Sequence, residues 1–394
     1  MRRSAAWVVG ICAVVALGGV ATAAPKSVTT LRVQAAGAQE KAGTTEQVTR
    51  SLSYVSASHT LTLSYPGASY VKVHFSRLAL LPGDWLTVTD LEGGQSIDYR
   101  FGLRDEWAMS VDGDTAVLTL HGRLARMLGY GVVIDKVAHG FTPLERSRQK
   151  GVQRAARNAA TTAMRDGSPT ESVCGGDDSA DAVCYRSSDP VAYNNSRAVA
   201  RLLINGDELC SAWRVGPGNR MLTNHHCFTS TVDARNTEVW FNYECAICGG
   251  FAVRRPVKVF ADKVLATDPT LDYTLFTVQD FAAVQAFGFL TIDDRAPVAG
   301  EELYVPQHPG GDPTILAISS DQDRGGNCRV DDPAADGYAV GTDVSYYCDT
   351  AGGSSGSPVL SRRTNKVIAL HHFGGCPNAG VRIDLIYREI GSLL

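Results

Sequence analysis

A chain of 394 residues with 44% apolar residues and a net charge of −4 is long enough for two or three globular domains. The small net charge, without an interleaved basic and aromatic patch, gives no reason to expect a nucleic-acid partner. Frequent Gly, Val, Thr and Ser, with few long helical patterns, predict a mostly β structure.

The first 23 residues have the pattern of a secretory signal peptide. Arg2 and Arg3 precede an apolar run at residues 5–20, and Ala-Thr-Ala at 21–23 is a typical cleavage site. The run is short for a membrane span, and no second candidate follows. We therefore expect a secreted protein, extracellular or periplasmic, with no membrane association after signal cleavage. An uncleaved anchor is the alternative.

Three segments follow the signal. Residues 24–50 are polar and rich in small residues, which indicates a flexible leader. Residues 51–141 lack cysteine and alternate apolar with polar residues between Gly, Pro and Asp turns, which predicts a separate antiparallel β-sandwich. Residues 142–172 form a basic linker with a candidate helix at 158–164. This linker is either a solvated spacer or a processing region.

Residues 173–394 contain all the cysteines outside the signal, and their odd number, nine, leaves one unpaired if the others form disulfides. Cys245 and Cys248 have zinc-ribbon spacing, but no second pair accompanies them, so no metal site is expected. Short strand patterns recur from residue 198 to residue 370 and predict a sandwich or two barrels. The apolar period then changes, and residues 381–394 are predicted to form a C-terminal helix.

Three short motifs in this domain carry side chains suited to acyl transfer. They are Leu-Thr-Asn-His-His-Cys at 222–227, Asp-Tyr-Thr-Leu-Phe at 272–276 and Gly-Gly-Ser-Ser-Gly-Ser-Pro at 352–358. A serine between glycines lies on exposed backbone beside free amide donors, which suits a nucleophile next to an oxyanion hole. The serine needs a base to remove its proton and an acid to orient that base.

In this order the motifs resemble those of trypsin-like serine proteases over about residues 173–394. The histidine that directly precedes a cysteine is His226, which the resemblance favours over His225. Asp272 opens the aspartate motif and is favoured over nearby Asp268, and Ser355 is favoured over Ser354 as the nucleophile. The resemblance implies an all-β double antiparallel β-barrel fold of the chymotrypsin type. It also implies an oxyanion hole from the N–H groups of Gly353 and Ser355, peptide or protein substrates, no cofactor and a monomer.

One departure from the trypsin motif narrows the resemblance. Ser354 stands where trypsin has an aspartate that receives the new N-terminus on zymogen cleavage, so that ion pair cannot form here. The motif form is closest to the bacterial lysyl and glutamyl endopeptidases. That likeness implies Cys174–Cys376, Cys184–Cys248 and Cys210–Cys227. Elimination then makes Cys328–Cys348 the fourth expected pair and leaves Cys245 over.

For the residue before the scissile bond, Arg or Lys is favoured through Asp349, and Glu is the alternative. Asp349 lies six residues before Ser355, an offset that in trypsin-like enzymes gives the pocket floor for Arg or Lys. Glutamyl endopeptidases instead bind an acidic side chain with a threonine and a histidine before Gly-Gly. The corresponding substrate-binding candidates are Thr350, His372, Gly374 and Gly375.

Two further expectations depend on the same resemblance. The sandwich weakly resembles accessory or propeptide modules that accompany secreted proteases, so the chain is expected to be a zymogen. A catalytically silent protease fold that serves as a binding module is the alternative from another functional class. An esterase is disfavoured, because its usual Gly-x-Ser-x-Gly elbow lies on an α/β sheet.

Overall fold

The computed structural model describes residues 39–122, 130–148 and 172–394, which all lie within one compact unit, Val33–Leu394. The predicted signal, most of the leader and the candidate linker helix at 158–164 lie outside these residues. No helix in the described parts of the chain is both long and apolar enough to cross a membrane.

Two antiparallel sheets form the N-terminal part. One has the strand order β2-β10-β4-β7 with β8 beside β4, and the other has the order β3-β9-β5-β6. Leu86, Leu118 and Ile134 are fully buried between them, as the alternating apolar pattern predicted. The strands of this half are β1 (Glu40–Lys41), β2 (Gly43–Ser53), β3 (Thr60–Ser64), β4 (Tyr70–Ala79), β5 (Trp85–Asp90), β6 (Ser96–Tyr99), β7 (Glu106–Trp107), β8 (Val111–Asp112), β9 (Thr115–His121) and β10 (Gly131–Gly140).

The last part of the expected leader is structured instead. Residues 43–50 belong to β2, which pairs with β10 from Gly140↔Gly43 to Gly131↔Ser53. Strand β1 leaves the sandwich and pairs with a strand of the following domain. The leader prediction was wrong for residues 40–50, because their Thr, Gln and Arg side chains form a polar edge strand that carries little apolar alternation.

The C-terminal part contains two antiparallel barrels, which confirms the predicted all-β fold. In the first barrel six strands close on themselves in the order β13-β12-β15-β16-β17-β14, because β13 also pairs with β14. The second sheet has the order β11-β19-β18-β21-β22-β23-β20. Their strands are β11 (Ala180–Asp181), β12 (Val199–Ile204), β13 (Glu208–Arg214), β14 (Met221–Thr223), β15 (Glu238–Phe241), β16 (Val257–Asp268), β17 (Tyr273–Val278), β18 (Leu303–Gln307), β19 (Ile315–Ala317), β20 (Asp343–Tyr346), β21 (Pro358–Ser361), β22 (Val367–Phe373) and β23 (Asn378–Arg382).

One apolar cluster joins the two barrels. Trp213 and Leu222 of the first barrel and Tyr304 of the second belong to it, and all three are fully buried. Ile383, Ile386 and Ile390 of the C-terminal helix complete it. That helix spans Ile383–Ile390, shorter than predicted, because residues 381–382 pair with β20 and β22 as the end of β23. The other helical segments are 143–148, Ala182–Tyr185, Pro190–Ser196, Thr231–Arg235, Phe281–Val284, Gln285–Phe287, Pro309–Gly311 and Gly391–Leu393.

A buried ion pair connects the sandwich to the first barrel. Lys72 Nζ on β4 lies 2.6 Å from Glu238 Oε1 on β15, and both side chains are wholly inaccessible to solvent. Glu238 also accepts hydrogen bonds from the backbone N–H and the hydroxyl of Ser110 and from the indole N–H of Trp240. Both charges of this pair therefore have partners, as a buried pair requires.

Candidate active site

His226 and Asp272 form the central contact of the site. His226 lies in the turn after β14, and its Nδ1 is 2.8 Å from Asp272 Oδ2. The backbone N–H of His226 donates to Asp272 Oδ1 at 3.0 Å. Two contacts to one carboxylate fix both the position and the tautomer of the imidazole, and leave its Nε2 as the proton acceptor.

Asp272 is held in an unusual backbone conformation. Its φ is +41°, in the left-handed region, and its carbonyl accepts a hydrogen bond from the Asn224 side chain at 2.9 Å. Burial alone would raise the pKa of this carboxyl, but electrostatic attraction to the His226 and His372 rings and hydrogen bonds with them lower it below its ordinary value. Asp272 is therefore a carboxylate throughout the neutral range.

A second histidine lies behind Asp272. His372 Nδ1 is 3.0 Å from Asp272 Oδ2, and its Nε2 is 2.6 Å from Asp343 Oδ2 on β20. Both carboxylates and the ring are almost completely buried. This geometry differs from the expected contact of His372 with substrate, because both ring nitrogens are engaged by carboxylates. Asp343 has no sequence motif around it, so the residues alone did not identify it.

We expect His372 to make the folded state less stable at alkaline pH. Burial by itself would lower its pKa, but Asp343 and Asp272 raise the pKa of His372 to about 9. Because this exceeds the ordinary 6.5, the stabilisation is fully present below about pH 6.5 and is lost as pH rises through about 9. The urea midpoint of the parent chain should be lower at pH 9.5 than at pH 6.5, and this difference should be smaller in His372→Gln. Equal falls would contradict the assignment.

The segment that carries Ser355 packs tightly on the first barrel. A side chain at Gly356 (φ +89°) would meet the carbonyl oxygen of Ser211 at 2.1 Å, so only glycine fits there. The N–H of Ser211 donates to the carbonyl of Ser355 at 2.8 Å, and its hydroxyl donates to the carbonyl of Gly353 at 2.9 Å. Ser355 itself is 8% exposed. The loop is thus fixed by main-chain contacts on both sides of the serine.

Ser211 also connects this loop to His226. Its neighbour Cys210 forms a disulfide with Cys227, the residue directly after His226. The hydroxyl of Thr223 donates to the Ser211 carbonyl at 2.8 Å. The histidine turn and the serine loop therefore share one anchor, although neither Ser211 nor Thr223 stood out in the sequence.

The main chain around Gly353 has the form of an amide-lined turn. Gly353 has φ +96°, and its N–H has no acceptor among the described residues. The N–H of Gly310 donates to the carbonyl of Gly352 at 2.5 Å and so fixes the start of the turn. The competing residues lie elsewhere: His225 contacts the Thr267 hydroxyl, and Asp268 accepts the N–H groups of Thr270 and Leu271.

The Asp349 side chain is already occupied by main-chain donors. Its Oδ1 accepts the N–H of Cys174 at 2.9 Å, and its Oδ2 accepts the N–H of Asp178 at 2.7 Å. Burial, partly offset by these bonds, raises the pKa of Asp349 to about 6. Next to it, the buried hydroxyl of Thr350 has no hydrogen-bond partner among the described residues. Gly374 is buried and Gly375 half-buried, with Gly375 next to the bonded Cys376.

The cysteines pair as the resemblance implied, and Cys245 is buried and free. His226 lies close to the sulfurs of Cys210 and Cys227, but these are joined to each other and cannot ligate a metal. Cys248, the second cysteine of the zinc-ribbon spacing at 245–248, is bonded to Cys184 and therefore cannot ligate zinc. The disulfides are Cys174–Cys376, Cys184–Cys248, Cys210–Cys227 and Cys328–Cys348.

A strand from the N-terminal half lies against the site. Glu40 pairs with Leu209 and Lys41 with Glu208, so β1 extends the edge of the first barrel at β13. The Gln39 side-chain amide donates to the carbonyls of His226 and Cys227 at 2.6 and 2.7 Å. A side chain at Gly352 would meet the Glu40 carboxylate at 2.3 Å. Residues 39–41 therefore cover the space between the histidine turn and the serine loop.

Residues 210–370 match the family model described as a trypsin-like peptidase domain. A secreted RxLR effector protein 73 of Plasmopara viticola is 39% identical over 219 residues, 54% of this chain and 53% of that protein. An uncharacterized protein y4fB of Sinorhizobium fredii is 27% identical over 193 residues, 45% of this chain and 28% of that protein. The chain thus spans about half or less of the length of these relatives.

The solved structures that match the chain share little sequence with it. A Glu endopeptidase is 16% identical, with a TM-score of 0.40, over 56% of this chain and 100% of its own. The Rv3671c protease of M. tuberculosis H37Rv, in a Ser343Ala form, is 14% identical, with a TM-score of 0.38, over 53% of this chain and 94% of its own.

Proposed function

We propose, from the trypsin-like peptidase domain that the chain carries at residues 210–370, that it is a secreted serine endopeptidase. The observation that carries the proposal is the pair of contacts that fixes His226 on the buried carboxylate of Asp272. The four disulfides are consistent with maturation in an oxidising compartment.

In the proposed reaction Ser355 Oγ attacks the peptide carbonyl while His226 Nε2 takes its proton. The N–H groups of Gly353 and Ser355 stabilise the oxyanion, and His226 then protonates the leaving amine. Water repeats the sequence on the acyl-enzyme with His226 again as base. Asp272 orients the ring and stabilises the imidazolium, and His372 holds Asp272 from the opposite side.

A fluorophosphonate probe tests this function. The purified secreted protein should be labelled covalently, and should cleave an unfolded protein such as reduced casein at internal bonds. The competing function, a silent protease fold that only binds partners, predicts neither labelling nor cleavage after any processing step. Both results absent, in protein with intact disulfides, would reject the endopeptidase.

Two primary specificities are compatible with the sequence motifs. Preference for Arg or Lys requires the substrate cation to reach Asp349, whose two oxygens each already accept one main-chain N–H. Preference for Glu is supported by the unpartnered Thr350 hydroxyl, which is available to donate to a carboxylate. A panel of peptides that differ only at the residue before the scissile bond separates the two. Dominant cleavage after Glu would reject the Asp349 assignment.

The full chain is further proposed to be a latent precursor, because residues 39–41 lie against both the histidine turn and the serine loop. An extended segment paired to a sheet edge is also how peptides commonly bind, so β1 competes with substrate for that edge. N-terminal sequencing of the secreted protein would reveal whether residues 51–141 are removed on maturation.

Replacing Gln39 by alanine should partly relieve this latency. The variant loses two hydrogen bonds to main-chain carbonyls, each worth about 1 kcal/mol, so we expect peptide hydrolysis by the full chain to rise about 5- to 20-fold. The gain should appear mainly as a lower KM. Gln47→Ala, at an exposed position on β2, is the matched control and should change nothing. Equal rates for both variants would contradict an inhibitory role for the segment.

A further inference from the structure

A cavity of about 460 Å³ lies between the sandwich and the first barrel, away from the proposed catalytic groups. Tyr70 and Asp112 of the sandwich line one side, and Arg201 and Trp240 of the barrel line the other. Arg146, Arg254 and Arg255 also line it, so four arginines converge on one space.

Three of these arginines have polar partners. Arg146 contacts Asp312 at 3.4 Å, Arg254 contacts Glu244 at 3.0 Å, and Arg255 donates to the carbonyl of Gly94. Of the acidic residues in the lining, Asp112 is paired with Lys258 at 2.7 Å, and Asp90 accepts the backbone N–H of Gln95. The second oxygen of Asp90, Oδ1, is buried without a hydrogen-bond partner among the described residues, and the other groups satisfy one another.

Arg201 does not follow this pattern. It is 3% exposed, its Nε is buried without a hydrogen-bond partner, and no carboxylate lies within 4.0 Å of the side chain, in residues 39–122, 130–148 and 172–394. Its contacts are stacking ones: the guanidinium lies 4.3 Å from the Trp240 ring centre and 5.4 Å from that of Tyr243. Burying a charge without a hydrogen-bond partner costs free energy, and buried charged groups are therefore normally paired with a group of opposite charge.

The surroundings of Arg201 indicate which kind of ligand group could pair with its guanidinium. Arginine is always charged and presents a planar set of donors that matches the oxygens of a carboxylate or phosphate. The aromatic rings cover the face of the guanidinium, so the donors at its edge are the groups left for a ligand. A cationic or uncharged ligand would not supply the negative charge that pairs with the guanidinium.

We propose that this cavity is an anion-binding site, in which Arg201 binds a carboxylate or phosphate group of a small ligand or peptide. The site is separate from the proposed triad and does not depend on peptidase activity. Arg146 and Arg255 at the cavity wall add positive potential that favours entry of the anion.

Thermal unfolding of the full chain in the Ser355→Ala background, with added N-acetyl-glutamate or inorganic phosphate, tests the site. We expect Tm to rise with saturable dependence on at least one of these anions, and the more effective one identifies the group. Arg201→Met should lose the shift, or weaken the apparent Kd by at least about tenfold. Without ligand its Tm should be equal to or above that of the parent, since an unpaired buried charge is removed.

Arg220→Met is the matched control, because Arg220 donates to the carbonyl of Leu393 outside the cavity, and it should retain the full ligand response. A ligand shift that persists in Arg201→Met overturns the proposal. A Tm that does not respond to either anion in the parent chain overturns it as well. A Tm lowered in Arg201→Met, together with an unchanged ligand response, would assign Arg201 a structural stacking role only.

Discussion

Replacing Ser355 by alanine should abolish fluorophosphonate labelling and lower kcat by about 10⁵- to 10⁶-fold. The loss is this large because the Ser355 Oγ forms the covalent bond to the substrate. Without this nucleophile, the other two residues of the triad contribute little to the rate. KM should stay within a few-fold, since the variant removes only one hydroxyl from the site. Single-turnover and steady-state peptide hydrolysis would measure both constants.

Ser357→Ala provides a matched control in the same loop. Its hydroxyl is buried and has no hydrogen-bond partner among the described residues, so its loss should not disturb the main chain. We expect labelling and kcat within about twofold of the parent chain. Activity that survives in Ser355→Ala at more than about a hundredth of the parent value would assign the nucleophile to another residue.

Replacing Asp272 by asparagine should lower kcat by about 10⁴-fold with little change in the fold. An asparagine amide can donate to His226 Nδ1, which stabilises the tautomer that has its proton on Nε2 and cannot act as a base. The same change removes a negative charge from beside His372. We therefore also expect the pH at which His372 deprotonates to fall, which NMR of the imidazole protons would detect.

The control for this variant is Asp268→Asn, four residues earlier. Asp268 accepts the N–H groups of Thr270 and Leu271 through one oxygen, and asparagine retains that acceptor. Rates within about twofold of the parent are expected. Similar losses of kcat in Asp268→Asn and Asp272→Asn would show that catalysis depends on the conformation of the turn rather than on the Asp272 carboxylate.

The sequence was informative where local chemistry determines structure. Glycines around Ser355 indicated a tight loop, and Gly356 does approach Ser211 too closely for any side chain. The alternation of apolar residues at 116–120 and 70–75 predicted strands that both occur. In these cases neighbouring residues carry the information, so no distant contact is needed to interpret them.

Contacts between residues distant in sequence could not be predicted in the same way. Asp343 meets His372 only because β20 and β22 both pair with β23. Gln39 reaches His226 across 187 residues, and nothing near Gln39 indicates it. The roles of Asp349 and His372 were inferred from offsets within motifs, and an offset does not specify which donors occupy a side chain.

If the full chain is the latent precursor proposed above, the buried pair of Lys72 and Glu238 has a consequence for the timing of its activation. A cut between residues 148 and 172 would break one covalent connection, but the two halves would still share this pair and the pairing of β1 with β13. Separation would break the contacts between the two charges before water can replace them, which slows dissociation. The half-life of the nicked complex, rather than the rate of the cut, would then determine when activity appears.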